Sequence, residues 1–454
     1  MKRDNTELFE TMPVRKALLT LIIPTIISQM INVLYNMADT FFIGQMGDPN
    51  QVAAATLAMP PFVMMAGFAN LFGIGGSSLI ARSLGVGDRE KATRSASFSI
   101  YSAFLLSLLY GIAMYLARPW LFPILGTDAN TYGYCTQYVF WTITIGGVPT
   151  VLSACFAHLV RAEGYSKEAS IGIAMGCILN VIFDPIFIFA LDMKIEGAAF
   201  ATMLANVCSL IYFIVLILKN KKTTVIKLSP RNYSVSYGIP NEILLVGFPS
   251  FLMLLMGTTS NLILNKLIVS YSNAALAGAG IAKRLDMLAF AIANGMTQGA
   301  MPLISYNYAS GDHKRMDSAV KNAFAFAAGV ATVGALFLFI CAVPIIKLFI
   351  DDVETVTYGQ YFLKTIAVTC PAISVTMMTI SIFQATGQKI KPLILSFFRK
   401  GGFDIPLMFI LNAKLGVKGI PIATPTSDIL AMLVALSLFI PYWKKLKSSS
   451  LSKK

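Results

Sequence analysis

Only 13% of the 454 residues are charged, two are histidine, and neither a Cys-x-x-Cys motif nor a Gly-Lys dipeptide occurs. Each shortage excludes something. Soluble domains carry roughly a quarter charged residues, so an ordinary soluble fold is excluded. Cys135, Cys155, Cys177, Cys208, Cys341 and Cys370 are scattered, nearly all within apolar runs, and read as small buried hydrophobes. With only His158 and His313 beside them, no transition-metal site is suggested. The missing Gly-Lys removes the Walker loop and with it direct ATP hydrolysis, which leaves an ion gradient as the expected driver. No nucleophile–base or metal constellation stands out, so neither enzyme chemistry nor a cofactor is expected. Alternating ten-residue strands are absent as well, which argues against a β-barrel.

What is present is apolar. Hydrophobic residues make up 56% of the chain and the mean hydropathy is +0.69. Apolar runs of about twenty residues recur from end to end, the mark of an all-α polytopic protein of the lipid bilayer. The start, MKRDNTELFETMPVRK, lacks a small-residue cleavage site. The first apolar run, Ala17 to Met46, is longer than a signal-peptide core, so it is expected to stay as the first helix. The net charge of +14 is unevenly spread: 25 of the 36 Lys and Arg fall in alternate segments. The opposite loops hold only Arg118, Lys194, Lys347, Lys414 and Lys418. This asymmetry puts both termini in the cytoplasm of a cell-membrane protein. The excess charge orients the chain, and no nucleic-acid partner is expected.

Twelve spans are expected, near 17–46, 51–80, 95–117, 133–160, 169–190, 198–218, 240–270, 275–308, 319–345, 358–385, 393–411 and 419–443. They divide into an N-lobe (1–218, helices one to six), a basic cytoplasmic linker (219–239) and a C-lobe (240–454, helices seven to twelve). The halves resemble each other. Gly75, Gly87 and Asp88 fall on Gly299, Gly311 and Asp312 at an offset of 224, and GAAFAT (197–202) echoes GIPIAT (419–424) at 222. Two repeats of equal orientation have a pseudo-symmetry axis along the membrane normal and usually enclose a site that opens to each side in turn.

Several of these stretches, with others, carry a family resemblance. Pro24 with Ala38-Asp39-Thr40, the Gly87-Asp88 turn, Gln298-x3-Pro302-x3-Tyr306-Asn307 and Asn180-x3-Asp184-Pro185 are similar to the multidrug and toxic compound extrusion (MATE) transporters, bacterial efflux branch. The resemblance covers nearly the whole chain; Ala309-Ser310 departs from the usual Gly-Ala. It implies two six-helix lobes around a central cavity and efflux of small-molecule drugs coupled to entry of protons or sodium ions. A monomer is the expected working unit.

An aspartate inside the apolar stretch NVLYNMADTFFIG (32–44) is the sharpest local feature. Gln29, Asn32, Asn36 and Asp39 follow a three-four-three spacing and share one helical face, with Tyr35 alongside. Such a face points at protein or water, as an interhelical hydrogen-bond seam or a cavity wall. Asp39 lies roughly 10 Å inside the outer end of its helix, and Asp184 lies at a similar depth in helix five. Asn180 and Thr202 sit within a turn of that level, so four oxygen-bearing side chains can meet at one depth. The resemblance implies that they do, as the N-lobe acidic cluster. Two carboxylates in a poorly hydrated site cannot both ionise cheaply. The pair is then a proton carrier or, with Asn180 and Thr202, an oxygen cage for sodium. Pairing of Asp184 with a helix end is the structural alternative.

Asn206 joins Gln29, Asn32, Tyr35 and Asn36 as a candidate edge of the substrate cavity. In the C-lobe, Gly402 and Pro406 replace Asn180 and Asp184, while helix eight carries Lys283 and Asp286 three residues apart. These two read either as an internal salt bridge or as substrate-facing groups. Acidic and amide cavity residues favour lipophilic organic cations as cargo. The competing reading is a lipid-linked oligosaccharide flippase of the same superfamily, which would need basic residues for a pyrophosphate.

Overall fold

Aspartate, glycine and proline punctuate the apolar runs, and the helices start, bend and stop at them. The computed structural model describes residues 7–350 and 352–451. Met1–Thr6 and Ser452–Lys454, the tips of the two termini expected in the cytoplasm, lie outside these residues. Among the described residues twelve long helical segments, with short helical turns between some of them, follow one another: α1 (Val14–Gln45), α2 (Pro49–Gly85), α3 (Arg89–Leu125), α4 (Tyr132–Ile145 with Gly147–Ala162), α5 (Ser166–Ala190), α6 (Lys194–Lys219), α7 (Ile239–Val269), α8 (Asn273–Ala309), α9 (His313–Ile340), α10 (Val353–Ala367 with Cys370–Ala385), α11 (Ile390–Phe397, Phe398–Asp404 and Ile405–Leu415) and α12 (Ile420–Leu451). Eight are long and apolar enough to cross a membrane as they stand, and α4 and α10, bent by 47° and 43°, bring the number to ten. The other two, α8 and α11, carry the charges Lys283, Arg284, Asp286, Arg399, Lys400 and Asp404.

The repeat seen in the sequence has a local geometry. Gly87 and Gly311 both adopt φ +80°, a left-handed conformation that glycine takes without strain. Each is followed by an aspartate that caps the next helix: Asp88 accepts from the Lys91 amide at 2.8 Å, and Asp312 from the Arg315 amide at 2.9 Å. The cap satisfies backbone donors that the first turn leaves orphaned.

The chain packs as two compact units. One holds Ile27–Phe251 with the turn Glu7–Thr11, the other Met12–Ile26 with the residues from Leu252 onward. These bounds differ from the predicted lobes at two places: the first half of α1 packs with the second unit, and the first half of α7 with the first. Glycines explain both. In the first unit, a Cβ on Gly75 would stand 2.0 Å from the Ile243 carbonyl oxygen, and one on Gly247 would stand 1.8 Å from that of Leu71. In the second, a Cβ on Gly295 or Gly299 would stand 2.7 Å from the Cα of Ile26 or Ile22. Backbone therefore lies on backbone between α2 and α7, and again between α8 and α1, a closeness that small residues permit between membrane helices.

The linker is docked on the first unit. Val225 and Ile226 are buried, the Arg89 guanidinium donates to the Thr223 carbonyl at 2.6 Å, and the Tyr101 hydroxyl donates to that of Leu228 at 2.6 Å. In the turn after α4, the Glu163 carboxylate accepts from Thr224 Oγ1 at 2.6 Å and from the Val225 amide at 2.5 Å. Burial pushes the Glu163 carboxyl up to about 7 against the pull of these bonds.

The glycine contacts give opposed expectations for one substitution. Gly75→Ala overpacks two backbones and destabilises by about 1–3 kcal/mol. Gly329→Ala on α9 meets nothing within 4 Å and gains about 1 kcal/mol of helix propensity. Melting midpoints in detergent should fall for the first and hold or rise for the second. Equal midpoints would contradict the packing described here.

Candidate functional site

Asp184 is fully buried on α5, just before Pro185 and the π-helical stretch Ile186–Ala190. Proline supplies no backbone donor, so the helix cannot continue unchanged through this point. One turn earlier Asn180 is 2% exposed, and Thr202 on α6 is 3% exposed. The Asn180 amide links its neighbours. In the orientation that satisfies both, its nitrogen donates to Asp184 Oδ2 at 3.0 Å and its oxygen accepts from Thr202 Oγ1 at 3.1 Å. Asp39, on the part of α1 that belongs to the same unit, is 7% exposed. Its charge acts on Asp184, on Tyr35 and on Tyr138 of α4, so these four groups share one neighbourhood.

Two oxygens in this group have no hydrogen-bond partner: Asp39 Oδ1 and Asp184 Oδ1. Among the described residues neither carboxylate forms a salt bridge. The surroundings offer hydroxyl, amide and phenol groups but no basic side chain in contact. An unpaired carboxylate is expensive in an apolar medium, so such a pair demands a proton or a cation. The amide, hydroxyl and carboxylate oxygens are the donor type that suits a hard cation.

The other predicted residues are placed as follows. Asn32 donates to Cys177 Sγ at 3.6 Å and Ser28 Oγ to Ser170 Oγ at 3.3 Å, so the polar stripe of α1 faces α5. Asn36 folds back on its own helix, donating to the Asn32 carbonyl at 2.6 Å, and Asn206 does likewise to that of Thr202 at 2.9 Å. Gln29 and Tyr35 are half-buried. Lys283 and Asp286 belong to the other unit, where they pair with each other at 2.9 Å, the internal salt bridge that was one of the two readings. Sequence reasoning missed Tyr138, one of three tyrosines in TYGYCTQY (131–138) with nothing to single it out. It also missed Asp404 and Asp428, buried carboxylates of α11 and α12. Asp428, in IATPTSDILAMLVA, carries the same signal that singled out Asp39: an acid inside an apolar helix.

Comparison with known proteins agrees with this architecture. The MatE family profile matches twice, over residues 24–186 and 249–410. The chain is 30% identical over 437 residues to the multidrug export protein MepA of Staphylococcus saprophyticus, with 96% of each chain covered. It is 30% identical over 446 residues to the protein of the same name from Staphylococcus aureus, again with 96% of each covered. Among solved structures, a MATE in complex with MaL6 superposes with a TM-score of 0.91 at 27% identity, covering 99% of this chain and 100% of that one. An outward-facing multidrug resistance MATE family transporter gives 0.89 at 26%, with the same coverage. With both halves matched by the family profile and twelve helices in two related sets, the chain belongs to the MatE family and is a multi-pass membrane transporter rather than an enzyme.

Proposed function

We propose that this transporter is a multidrug efflux antiporter that exports lipophilic organic cations in exchange for protons or sodium ions. The observation that carries the reading is the pair Asp39 and Asp184: both buried, Asp184 within reach of the Asp39 charge, and neither with a basic partner among the described residues. The relatives named multidrug export proteins support the drug-export part. In this reading the carboxylates serve two ligands in turn. From the inside, a cationic drug is drawn by their charge and held mainly by burial of its apolar body. From the outside, a proton on Asp39 or Asp184, or a sodium ion among Asp39, Asp184, Asn180 and Thr202, cancels that charge and favours release. Asn180 and Thr202 orient the Asp184 carboxylate for either ion. Ion and drug then bind with opposed preferences, and the linkage is reciprocal.

The flippase alternative is less well supported. Lys283, Arg399 and Lys400 each pair with a carboxylate, so these bases are already engaged rather than displayed for a pyrophosphate. The loop charge asymmetry supports a plasma-membrane transporter with both termini in the cytoplasm, and a monomer is the proposed working unit.

Three tests follow from this reading. Single cysteines replacing Asn130 and Asp352 should react with an impermeant reagent added outside intact cells; reaction only after permeabilisation overturns the orientation. In proteoliposomes with an imposed proton or sodium gradient, Asp39→Asn should reduce drug transport to background, because the amide keeps the shape but takes up no proton. Asp184→Asn should weaken transport strongly, and normal rates from well-folded Asp39→Asn protein would sink the coupling role. Finally, the affinity for ethidium should fall by about fivefold or more when the coupling ion saturates, the lower range of ordinary allosteric coupling. Affinity indifferent to both pH and sodium, or binding of anionic lipids alone, would favour the flippase.

A further inference from the structure

In the second unit Asp286, Asp404 and Asp428 each have a basic partner, which Asp39 and Asp184 of the first do not have among the described residues. Arg399 Nε donates to Asp428 Oδ1 at 2.9 Å, with the two side chains only 4% and 1% exposed. Lys400 Nζ lies 2.9 Å from Asp404 Oδ2, which also accepts from Ser260 Oγ at 2.6 Å. Lys283 pairs with Asp286 at 2.9 Å. The three pairs act as one group, since Lys283 is under the influence of Asp404 and Asp428, and Asp286 under that of Lys400 and Arg399. Three bases face three acids, and the cluster is formally neutral.

The internal repeat makes the two units comparable. At the offset of 222, Thr424 and Asp428 of α12 correspond to Thr202 and Asn206 of α6. Asp404 lies on α11, the counterpart of α5, at the junction of a π-helical stretch with Pro406, much as Asp184 adjoins Pro185 and the π-helical turn after it. Thr424 stands beside Asp404 as Thr202 stands beside Asn180. The bases are what differ. Arg399 and Lys400 fall on Cys177 and Ile178, neither of which carries a positive charge.

We propose that Lys400 and Arg399 are tethered counter-ions that take, in the second unit, the place of a free cation. The carboxylates of the second unit then bind no coupling ion, and ion exchange belongs to the first unit alone. The proposal rests on the reading of Asp39 and Asp184 as the ion site. An ammonium held on the next turn of the same helix is always at its carboxylate, so a free ion gains nothing by competing. Removing the Lys400 ammonium leaves Asp404 with the Ser260 hydroxyl, with Thr424 nearby, and with Oδ1 outside any hydrogen bond; Asp428 Oδ2 is likewise outside one. Those oxygens are the ligands that a proton or a hard cation takes.

The test removes the first unit's contribution and reads ion binding by stability rather than transport. In purified Asp39→Asn/Asp184→Asn/Glu163→Gln protein with Lys400 intact, the melting midpoint should not move when sodium replaces choline from about 10 to about 300 mM, nor show an acid-dependent rise, since Glu163→Gln removes the raised carboxyl that would itself give one. Adding Lys400→Met should create a sodium- or acid-dependent rise of about 2 °C or more, growing with ion concentration. A further Asp404→Asn should abolish the rise. A midpoint that already responds with Lys400 intact would overturn the proposal, as would a folded Lys400→Met protein indifferent to both ions. If Lys400→Met protein is recovered only in high sodium or acid, that recovery is the same gain of binding. If neither condition recovers it while Lys400→Met/Asp404→Asn folds, no cation replaces the ammonium and the proposal fails. Because the background has no Asp39 or Asp184 carboxylate, failure here leaves the antiport reading standing, and failure of antiport leaves this result interpretable.

Discussion

A charge enclosed by apolar groups must find an opposite charge, a proton or an ion, and the rest of this structure depends on how that demand is met. The two units meet it differently. In the second, each buried acid has its own base, and the result is a neutral network across α8, α11 and α12, held also by Ser260 of α7. In the first, Asp39 and Asp184 have amide, hydroxyl and phenol neighbours and, among the described residues, no ion pair. A duplicated scaffold thus carries one cluster neutralised by its own bases and one whose carboxylates have no base among the described residues.

The scaffold that holds these groups is governed by glycine. Gly75 and Gly247 let α2 and α7 meet backbone to backbone, and Gly295 and Gly299 do the same for α8 and α1. This contact is why each opening helix of a repeat divides its length between two packing units. Asp39 consequently sits on the half of α1 that packs with α5, where the Ser28–Ser170 and Asn32–Cys177 contacts bring the polar stripe onto the helix that bears Asp184. Helix breaks do related work. π-Helical stretches adjoin Pro185 on α5 and Pro406 on α11, and the buried acid of α11 is Asp404, two residues before Pro406, which the simple offset aligns with Asp184.

Much of this was legible from residue order. The twelve apolar runs, the Gly-Asp turns of the two repeats and the three-four-three polar stripe of α1 depend on local periodicity and on the conformational freedom of single residues. So does the Lys283–Asp286 pair, three residues apart on one helix. Asp39 was legible because an acid in an apolar run has few explanations. Tyr138 was not, because nothing singles it out among the three tyrosines of TYGYCTQY.

By itself the sequence determined the class of protein, the duplication and the residues that must be explained, since hydropathy and spacing act along the chain. Only the tertiary structure decided that Asp428 has a base and that Asp39 and Asp184, among the described residues, have none. Arg399 and Asp428 are 29 residues apart on different helices, and Ser260 and Asp404 are 144 apart. Whether such groups pair depends on helix rotation, on π-helical shifts of register and on glycine-mediated closeness. None of these follows from composition, because each is set by how two distant backbones fit against each other.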